Sequence, residues 1–523
     1  MAERIVAAQY ANNELLSINE TPLSGGFIEP LYLDTPAGAK TQLRTFDFVL
    51  CMAANHVLTK HCLVIGQPID DCNYWTYSDD TEPAAGELIS LTEEMRRLID
   101  AALTINVRHI LAQEALDYFT RSGQTALVEY VKHCGKAGIK VNACDAPDGE
   151  YLDIYRDPLL PSTGLLTSFR LQKYHKGFIL IPEGAKIETF TREIPPLLKL
   201  HDKYKDWGRI CGVDSVPALN AIAASGGRAV QEFIRLCEVY SEKNFSDAAR
   251  DIVDKRANAR IIMLAGPSSS GKTTSAKRLC LHLQVLGLLP IVISLDDYYL
   301  HPDAVPRDED GKPDFECLEA LDVPYLNKQL LALLDGETVT LPKFDFKTGQ
   351  RSAGKEIKLQ PRSALVVEGI HALNDNLTPS VPRDAKYKLY VSALTQIKLD
   401  EHNRISASDN RLIRRIVRDN QFRGIPASRT LMMWHSVRRG ELRHIFPFQN
   451  SADAIINSAL EYELGVLRIY AEPLLRSVPA SEKVHAEAAR LLRILANFAA
   501  IPPQYISGIS ILREFIGNSE FKY

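Results

Sequence analysis

Gly266-Pro267-Ser268-Ser269-Ser270-Gly271-Lys272-Thr273, followed by Thr274, fits G-x-x-x-x-G-K-[ST] without a mismatch. The glycines let the backbone curl until its N–H groups point at phosphate oxygens. The helix expected next, over 272–288, turns its positive end toward the same anion. Lys272 has the reach for β- and γ-phosphates, and Thr273 has the hydroxyl for Mg²⁺. A Gly-Ser turn that only joins a strand to a helix would need none of this. The apolar run 260–264 ahead of the loop and the helical pattern behind it favour the phosphate reading, with ATP and Mg²⁺ as cofactors and residues 266–274 as their cradle.

Further strands are predicted at 291–295, 364–367 and 387–391. Strands alternating with helices imply an α/β fold, a parallel sheet flanked by helices. Ligands bind such sheets beyond the carboxyl ends of the strands. Two of those ends are acidic, Ser294-Leu295-Asp296-Asp297-Tyr298-Tyr299 and Val367-Glu368-Gly369-Ile370-His371. An acid there can merely shape a turn. Beside a phosphate loop it can also take a proton from a hydroxyl nucleophile or hold Mg²⁺. Farther on, Arg411, Arg414, Arg415 and Arg418 recur at three- and four-residue spacing within Asp409 to Asp419, with Arg423 following. Such a face is either a solvated basic helix or a lid that clamps a transferring phosphoryl group; its setting favours the lid.

The chain has 523 residues, enough for two to four domains, with 46% hydrophobic and 24% charged residues and a net charge of -4. That balance gives no pull toward nucleic acid or an anionic membrane. No apolar run approaches a membrane span, and the start lacks the apolar core of a signal peptide. Nine cysteines are scattered without a Cys-x-x-Cys, which fits reduced thiols in the cytoplasm. Ahead of the loop, helices are expected at 91–102 (Thr92 as cap), 114–119 and 126–133, and strands at 63–65 and 178–181. Ile194-Pro195-Pro196 punctuates that region, 197–255 reads as helices, and 481–499 as a last helical stretch.

Taken in order, 265–274, Asp296 to Tyr299, Glu368 to Ile370 and Asp409 to Asp419 resemble the uridine kinase and phosphoribulokinase group. The whole chain is most similar to long nucleoside kinases with a threonyl-tRNA-synthetase-like first half. Supporting stretches include 315–322, 344–349, 392–396, 436–440 and 511–515. The resemblance implies transfer of the ATP γ-phosphate to the ribose 5′-hydroxyl of a small-molecule nucleoside. It makes Asp296 the general base, places Tyr299, Phe344, Phe346, Arg411 and Arg423 near the nucleoside, puts Arg414 and Arg418 in the lid, and gives Mg²⁺ to Thr273, Glu368 and Asp296. Two departures stand out: Phe344 replaces a Tyr, and Gly349 stands where uridine-cytidine kinases carry a base-contacting His. The base preference is therefore open.

In the first half, 63–77 and 153–164 resemble segments of threonyl-tRNA synthetase next to its two metal-type motifs. The four ligand positions become Thr45, Val49, Tyr155 and Leu159, none a metal ligand, with His56 and His61 out of register. The expected layout is a partial ubiquitin-like remnant (1–40), a synthetase-like α+β domain (41–190), a helical connector (191–255), the kinase domain (256–475) and a C-terminal helical extension (476–523). A kinase of another small hydroxyl substrate and an ATP-driven RNA-binding regulator are the alternatives, although no basic cluster with interleaved aromatics supports RNA. A homo-oligomer is left open.

Overall fold

The computed structural model describes residues 5–22, 26–185, 195–255, 260–309, 311–345 and 348–522. Ile261–Ala265 is apolar at every position, which suits a strand covered on both faces, and it is buried throughout. It forms the middle of a five-stranded sheet in the order Leu289–Ser294, Ser363–Glu368, Ile261–Ala265, Lys386–Ser392, Ala454–Asn457. Every neighbouring pair is parallel. The α/β expectation holds, and the register brings Ser294, Glu368 and Leu264 to one level at the carboxyl edge.

Two features of this half were not expected. The four-residue strand Ala454–Asn457 is too short to show a pattern, and the antiparallel hairpin Thr338–Asp345 with Gln350–Lys358 has a second strand exposed at nearly every position, so no apolar alternation marks it. The helix after the loop runs Lys272–Val285 and stops three residues before the predicted end.

The helices Pro196–Cys211, Val216–Ala224 and Gly227–Lys255 follow the predicted helical stretch. They do not hang between bodies. Val213, Val216, Leu219, Phe233, Ile234, Phe245 and Ile252 share one apolar core with Leu264 and Leu279 of the sheet and loop helix. The C-terminal residues Ile506, Ile511, Leu512, Phe515 and Ile516 are buried in that same core.

The first half is α+β. Thr35 caps the long buried helix Pro36–Val57 through its Oγ1, which accepts from Gly38 N at 3.1 Å. A four-stranded antiparallel sheet runs Leu63–Ile65, Asn73–Tyr77, Gly177–Pro182, Phe169–Tyr174; three-stranded sheets are built from residues 6–32 and 105–153. The predicted start at 91 with Thr92 as cap is corrected. The helix is Ala85–Asp100, Thr92 lies inside it with its hydroxyl on Leu88 O, and Glu87 Oε2 accepts from Ala84 N at 2.9 Å. A neighbourhood of Pro83, Ala84, Ala85 and Gly86 offered no cap residue to read. Met1 to Arg4, Ile194 and Phe346 lie outside the described residues. Among the described residues no cysteines are paired, and no helix is long and apolar enough to cross a membrane.

The two halves meet at the loop 399–404, which leads into the helix Ala407–Arg423. Arg156 donates to Asp400 (2.8 Å), Asn403 Nδ2 to Ile154 O (2.8 Å), and Ile65 N to Glu401 O (2.8 Å). His402 Nδ1 pairs with the fully buried Asp153 at 2.7 Å.

Candidate active site

The phosphate loop leaves the central strand at Gly266, where any Cβ would lie 2.1 Å from Val391 O. Gly271 adopts a left-handed φ of 81°, and a Cβ there would lie 2.6 Å from Ile511 Cγ2. Both glycines are therefore dictated by close approach. Lys272 opens the helix, and its Nζ donates to Pro267 O at 3.2 Å. Gly271 at the N-cap has no side chain of its own to cap the helix, whose positive end faces the loop.

Asp296 stands in the short turn Leu295–Tyr298, two residues past Ser294, the partner of Glu368 in the sheet. It is reachable from solvent but sits deep enough in the cleft that desolvation, aided by Asp297, raises its carboxyl above the usual aspartate range; Lys272, Arg423 and Arg418 pull the other way. Glu368 is buried, accepts from Ser294 Oγ at 2.8 Å, and is pushed up to about 7 by burial and by Asp296, against Lys272. Lys272 thus favours the charged form of both acids while burial opposes it. Asp297 turns away from the pair: its Oδ1 accepts from Phe344 N (3.1 Å) and lies 3.3 Å from Lys343 Nζ.

The aromatic side of the cleft holds Tyr299, whose hydroxyl donates to Phe315 O at 3.0 Å and whose ring centroid lies 5.7 Å from Phe315 and 6.0 Å from Phe344. Gly349 has a φ of 69°, and a Cβ there would lie 2.7 Å from Pro302 Cδ. A side chain at 349 would be strained and crowded, so no residue there can reach a base.

The arginine helix, Ala407–Arg423, differs from the lid picture. Its residues from Asn410 to Val417 are buried. Arg411 donates to Glu441 Oε2 (2.8 Å) and Ser268 O (2.9 Å) and lies over the Trp434 ring. Arg414 is fully buried, pairs with Glu463, and donates to Ser458 O at 2.8 Å and Ser269 O at 3.4 Å. Arg415 reaches Ser268 Oγ at 2.9 Å. These three hold the back of the loop rather than facing the cleft. Three acids, Glu441, Glu463 and Asp419, draw the arginines inward; Asp419 is on the same helix, while wide sequence separation hid Glu441 and Glu463. Arg418 and the exposed Arg423 remain near Asp296, sharing Asp419.

Three further acids were not singled out. Glu441 accepts from Ser268 N at 3.2 Å; burial would raise its carboxyl, but Arg411 and Arg438 outweigh this and hold it below the ordinary range. Glu316, half-buried, is pushed up to about 7 by burial and Glu441, against Arg415 and Lys272. Glu514, near the C-terminus, accepts from Thr274 N (3.1 Å) and Thr274 Oγ1 (2.6 Å). Glu316 and Glu514 fall within the stretches 315–322 and 511–515 quoted for the resemblance, but nothing local marks their contacts, and Glu441 lies just past 436–440.

A family model described as the phosphoribulokinase / uridine kinase family matches residues 261–464. A uridine kinase of Ligilactobacillus salivarius is 30% identical over 207 residues, 39% of this chain and 88% of that protein. The chain belongs to the phosphoribulokinase / uridine kinase family. A second uridine kinase, from Macrococcus caseolyticus, is 32% identical over 198 residues, 38% of this chain and 86% of its own length. A solved structure from Bacillus stearothermophilus, described as a possible uridine kinase, aligns over 41% of this chain and 98% of its own with 19% identity and a TM-score of 0.29.

The family uses ATP with Mg²⁺. Thr273, Asp296 and Glu368 offer only oxygen donors, and few of them. That suits Mg²⁺, which keeps several waters and takes phosphate oxygens for the rest. Among the described residues, converging groups of three metal-capable side chains occur elsewhere, at Cys51, Asp153 and His402 and at His56, Glu94 and Asp148. The four synthetase-like positions Thr45, Val49, Tyr155 and Leu159 are all buried.

Proposed function

We propose that the chain is an ATP- and Mg²⁺-dependent nucleoside kinase of the cytoplasm that phosphorylates the ribose 5′-hydroxyl. The observation that carries this reading is the placement of two acids raised by burial, Asp296 and Glu368, at adjacent strand ends beside the loop that carries Lys272. Phosphoryl transfer asks little covalent chemistry of a protein; it asks for positioning and charge. Asp296 takes the proton of the attacking hydroxyl, whose oxygen bonds to the γ-phosphorus as the bond to the ADP oxygen breaks. A raised carboxyl is a stronger base than an ordinary aspartate, and Lys272 favours its ionised form. Thr273 with Glu368 or Asp296 would hold Mg²⁺, which would supply charge withdrawal from the phosphate oxygens. Arg418 and Arg423, which share Asp419 near Asp296, are the arginines placed to meet the charge that develops on transfer, while Arg411 and Arg414 steady the loop.

The sugar and base would lie along Tyr299, Phe315 and Phe344. Because no side chain at 349 can read the base, the wall selects by shape and stacking more than by hydrogen bonds. The test is a panel of purine and pyrimidine nucleosides with ATP and Mg²⁺, following ADP and nucleoside 5′-monophosphate together. Monophosphate from one or more nucleosides is expected. ADP without monophosphate would reject the nucleoside as acceptor and point to another hydroxyl substrate.

A further inference from the structure

The first N–H groups of a helix have no partner within the helix. In the loop helix the intrahelical ladder is entered at Ser275, whose N donates to Gly271 O at 2.9 Å. The donor just before it, Thr274 N, and the Thr274 hydroxyl both point at one carboxylate oxygen, Glu514 Oε2. A helix N-terminus that follows a phosphate loop is where a nucleotide's phosphate charge settles. A carboxylate and a phosphate carry the same sign and want the same donors.

We propose that Glu514 is an internal competitor for nucleotide phosphate, holding the Thr274 donors until ATP displaces it. The proposal rests on the phosphate-loop reading above.

The segment that carries Glu514 is fixed. Ile511, Leu512, Phe515 and Ile516 are buried, Arg414 lies 5.0 Å from the Phe515 ring centroid, and Ile511 closes on Gly271. The Glu514 side chain itself is only half-buried, so rotation about its own bonds can withdraw the carboxylate while the segment stays in place. Its field reaches the rest of the site: Glu514 favours the charged form of Lys277 and adds to the acidic surroundings of Glu368. With the carboxylate seated, the loop's positive end is already matched. ATP must replace that match and bear the repulsion of any charge left nearby. The C-terminal segment thereby sets the concentration at which nucleotide is taken, and it favours ligands with the most phosphate charge to offer in exchange.

The experiment is equilibrium binding of Mg-ATP, and of adenosine as the phosphate-free control, to the full chain and to Glu514→Gln and Glu514→Ala. The glutamine keeps an acceptor for Thr274 and removes only the charge; the alanine removes both, so either variant suffices should the other fold poorly. Mg-ATP should bind roughly 5- to 50-fold more tightly to both, as expected for removing a like charge a few ångströms away in a partly screened cleft, and adenosine should bind equally to all three. Unchanged or weaker ATP binding would overturn the proposal and make Glu514 a support for the loop. An equal gain for adenosine would overturn it too, as general loosening. Failure of all three proteins, the unaltered chain included, to bind Mg-ATP at millimolar concentration would instead overturn the phosphate-loop reading beneath it.

Discussion

Arg414 decides between two accounts of the arginine helix, and its replacement by methionine separates them. The guanidinium is fully buried, and Glu463, its partner, is only 2% exposed. Met fills most of the volume but leaves the Glu463 carboxylate buried, with Asn410 as its remaining neutral donor. Removing one member of a buried pair costs about 3–5 kcal/mol, because the other charge is left uncompensated. The Ser458 and Ser269 carbonyls also lose a donor, which keeps the cost toward the upper end. For a body of roughly 320 residues, such a loss corresponds to a fall in Tm of about 4–7 °C. Adding Glu463→Gln, which keeps an acceptor for Asn410, should recover at least half of it. Calorimetry or thermal scanning reads stability, and turnover is measured below the transition, where Arg414→Met should stay within about tenfold of the unaltered chain. An unchanged Tm with turnover down more than a hundredfold would refute this reasoning and restore Arg414 to direct contact with the transferring phosphate.

Asp296→Asn should lower kcat by about 10²- to 10⁴-fold while ATP affinity stays within a few fold; a normal kcat would remove the base assignment. Lys272→Ala should bring turnover close to background, read by monophosphate formation, and significant residual rate would show that the loop lysine is dispensable. Glu461 accepts from Trp207 Nε1 at 3.0 Å, and burial pushes its carboxyl up to about 7 from an ordinary 4.5. An acid raised on folding lends no penalty below pH 4.5 and its full penalty above pH 7, so Glu461→Gln should raise Tm at pH 8 by an amount worth about 1–3 kcal/mol and change it little at pH 4.5. Equal shifts at both pH values would contradict that cause. Asp153→Asn should lose about 1.5–3 kcal/mol in denaturant unfolding, because the His402 pair is fully enclosed, and an unchanged midpoint would mean the pair is not what joins the halves.

Most of the kinase half was legible because its chemistry is local. A phosphate loop must be contiguous, with two glycines at fixed spacing, and a buried parallel strand must be apolar throughout, as Ile261–Ala265 is. Asp296 and Glu368 were readable for the same reason, each lying next to a strand end. The arginine helix was misread because helical spacing shows which residues share a face but not what that face meets. Arg411 and Arg414 turn inward only because Glu441 and Glu463, far along the chain, are there to receive them. Glu514 lay in a quoted stretch, 511–515, but its contact with Thr274 was hidden on the same grounds, and Gly349 was visible as an anomaly whose crowding by the Pro302 ring needed coordinates. In the first half, strands such as Gly149–Asp153 are too short and too polar at one end for a period to emerge.

The contacts between the halves bear on what the first half is for. Isolated ion pairs on a surface contribute little, and a tethered module would need no more than those. Here Asp153 and Asp400 are almost wholly enclosed, and their partners come from opposite halves. Residues 400–403 gather the most enclosed of the joining bonds, with Lys205 on Asp80, His175 on Asp202 and Arg493 on Asp157 adding others, and Ser406, which caps the arginine helix, follows at once. The helix is tied again in its first turn by Arg490, which pairs with Asp409. Its position along its own axis is therefore set from outside the parallel sheet, and that position decides whether Arg411, Arg414 and Arg415 meet the backs of Ser268 and Ser269. A kinase body cut free at residue 256 would leave Asp400 without Arg156 and His402 without Asp153, with the connector helices stripped from the apolar core they share with Leu264 and Leu279. The physical role this supports for the first half is support of the phosphate loop through the arginine helix, a role that needs none of the four synthetase-like positions to bind anything.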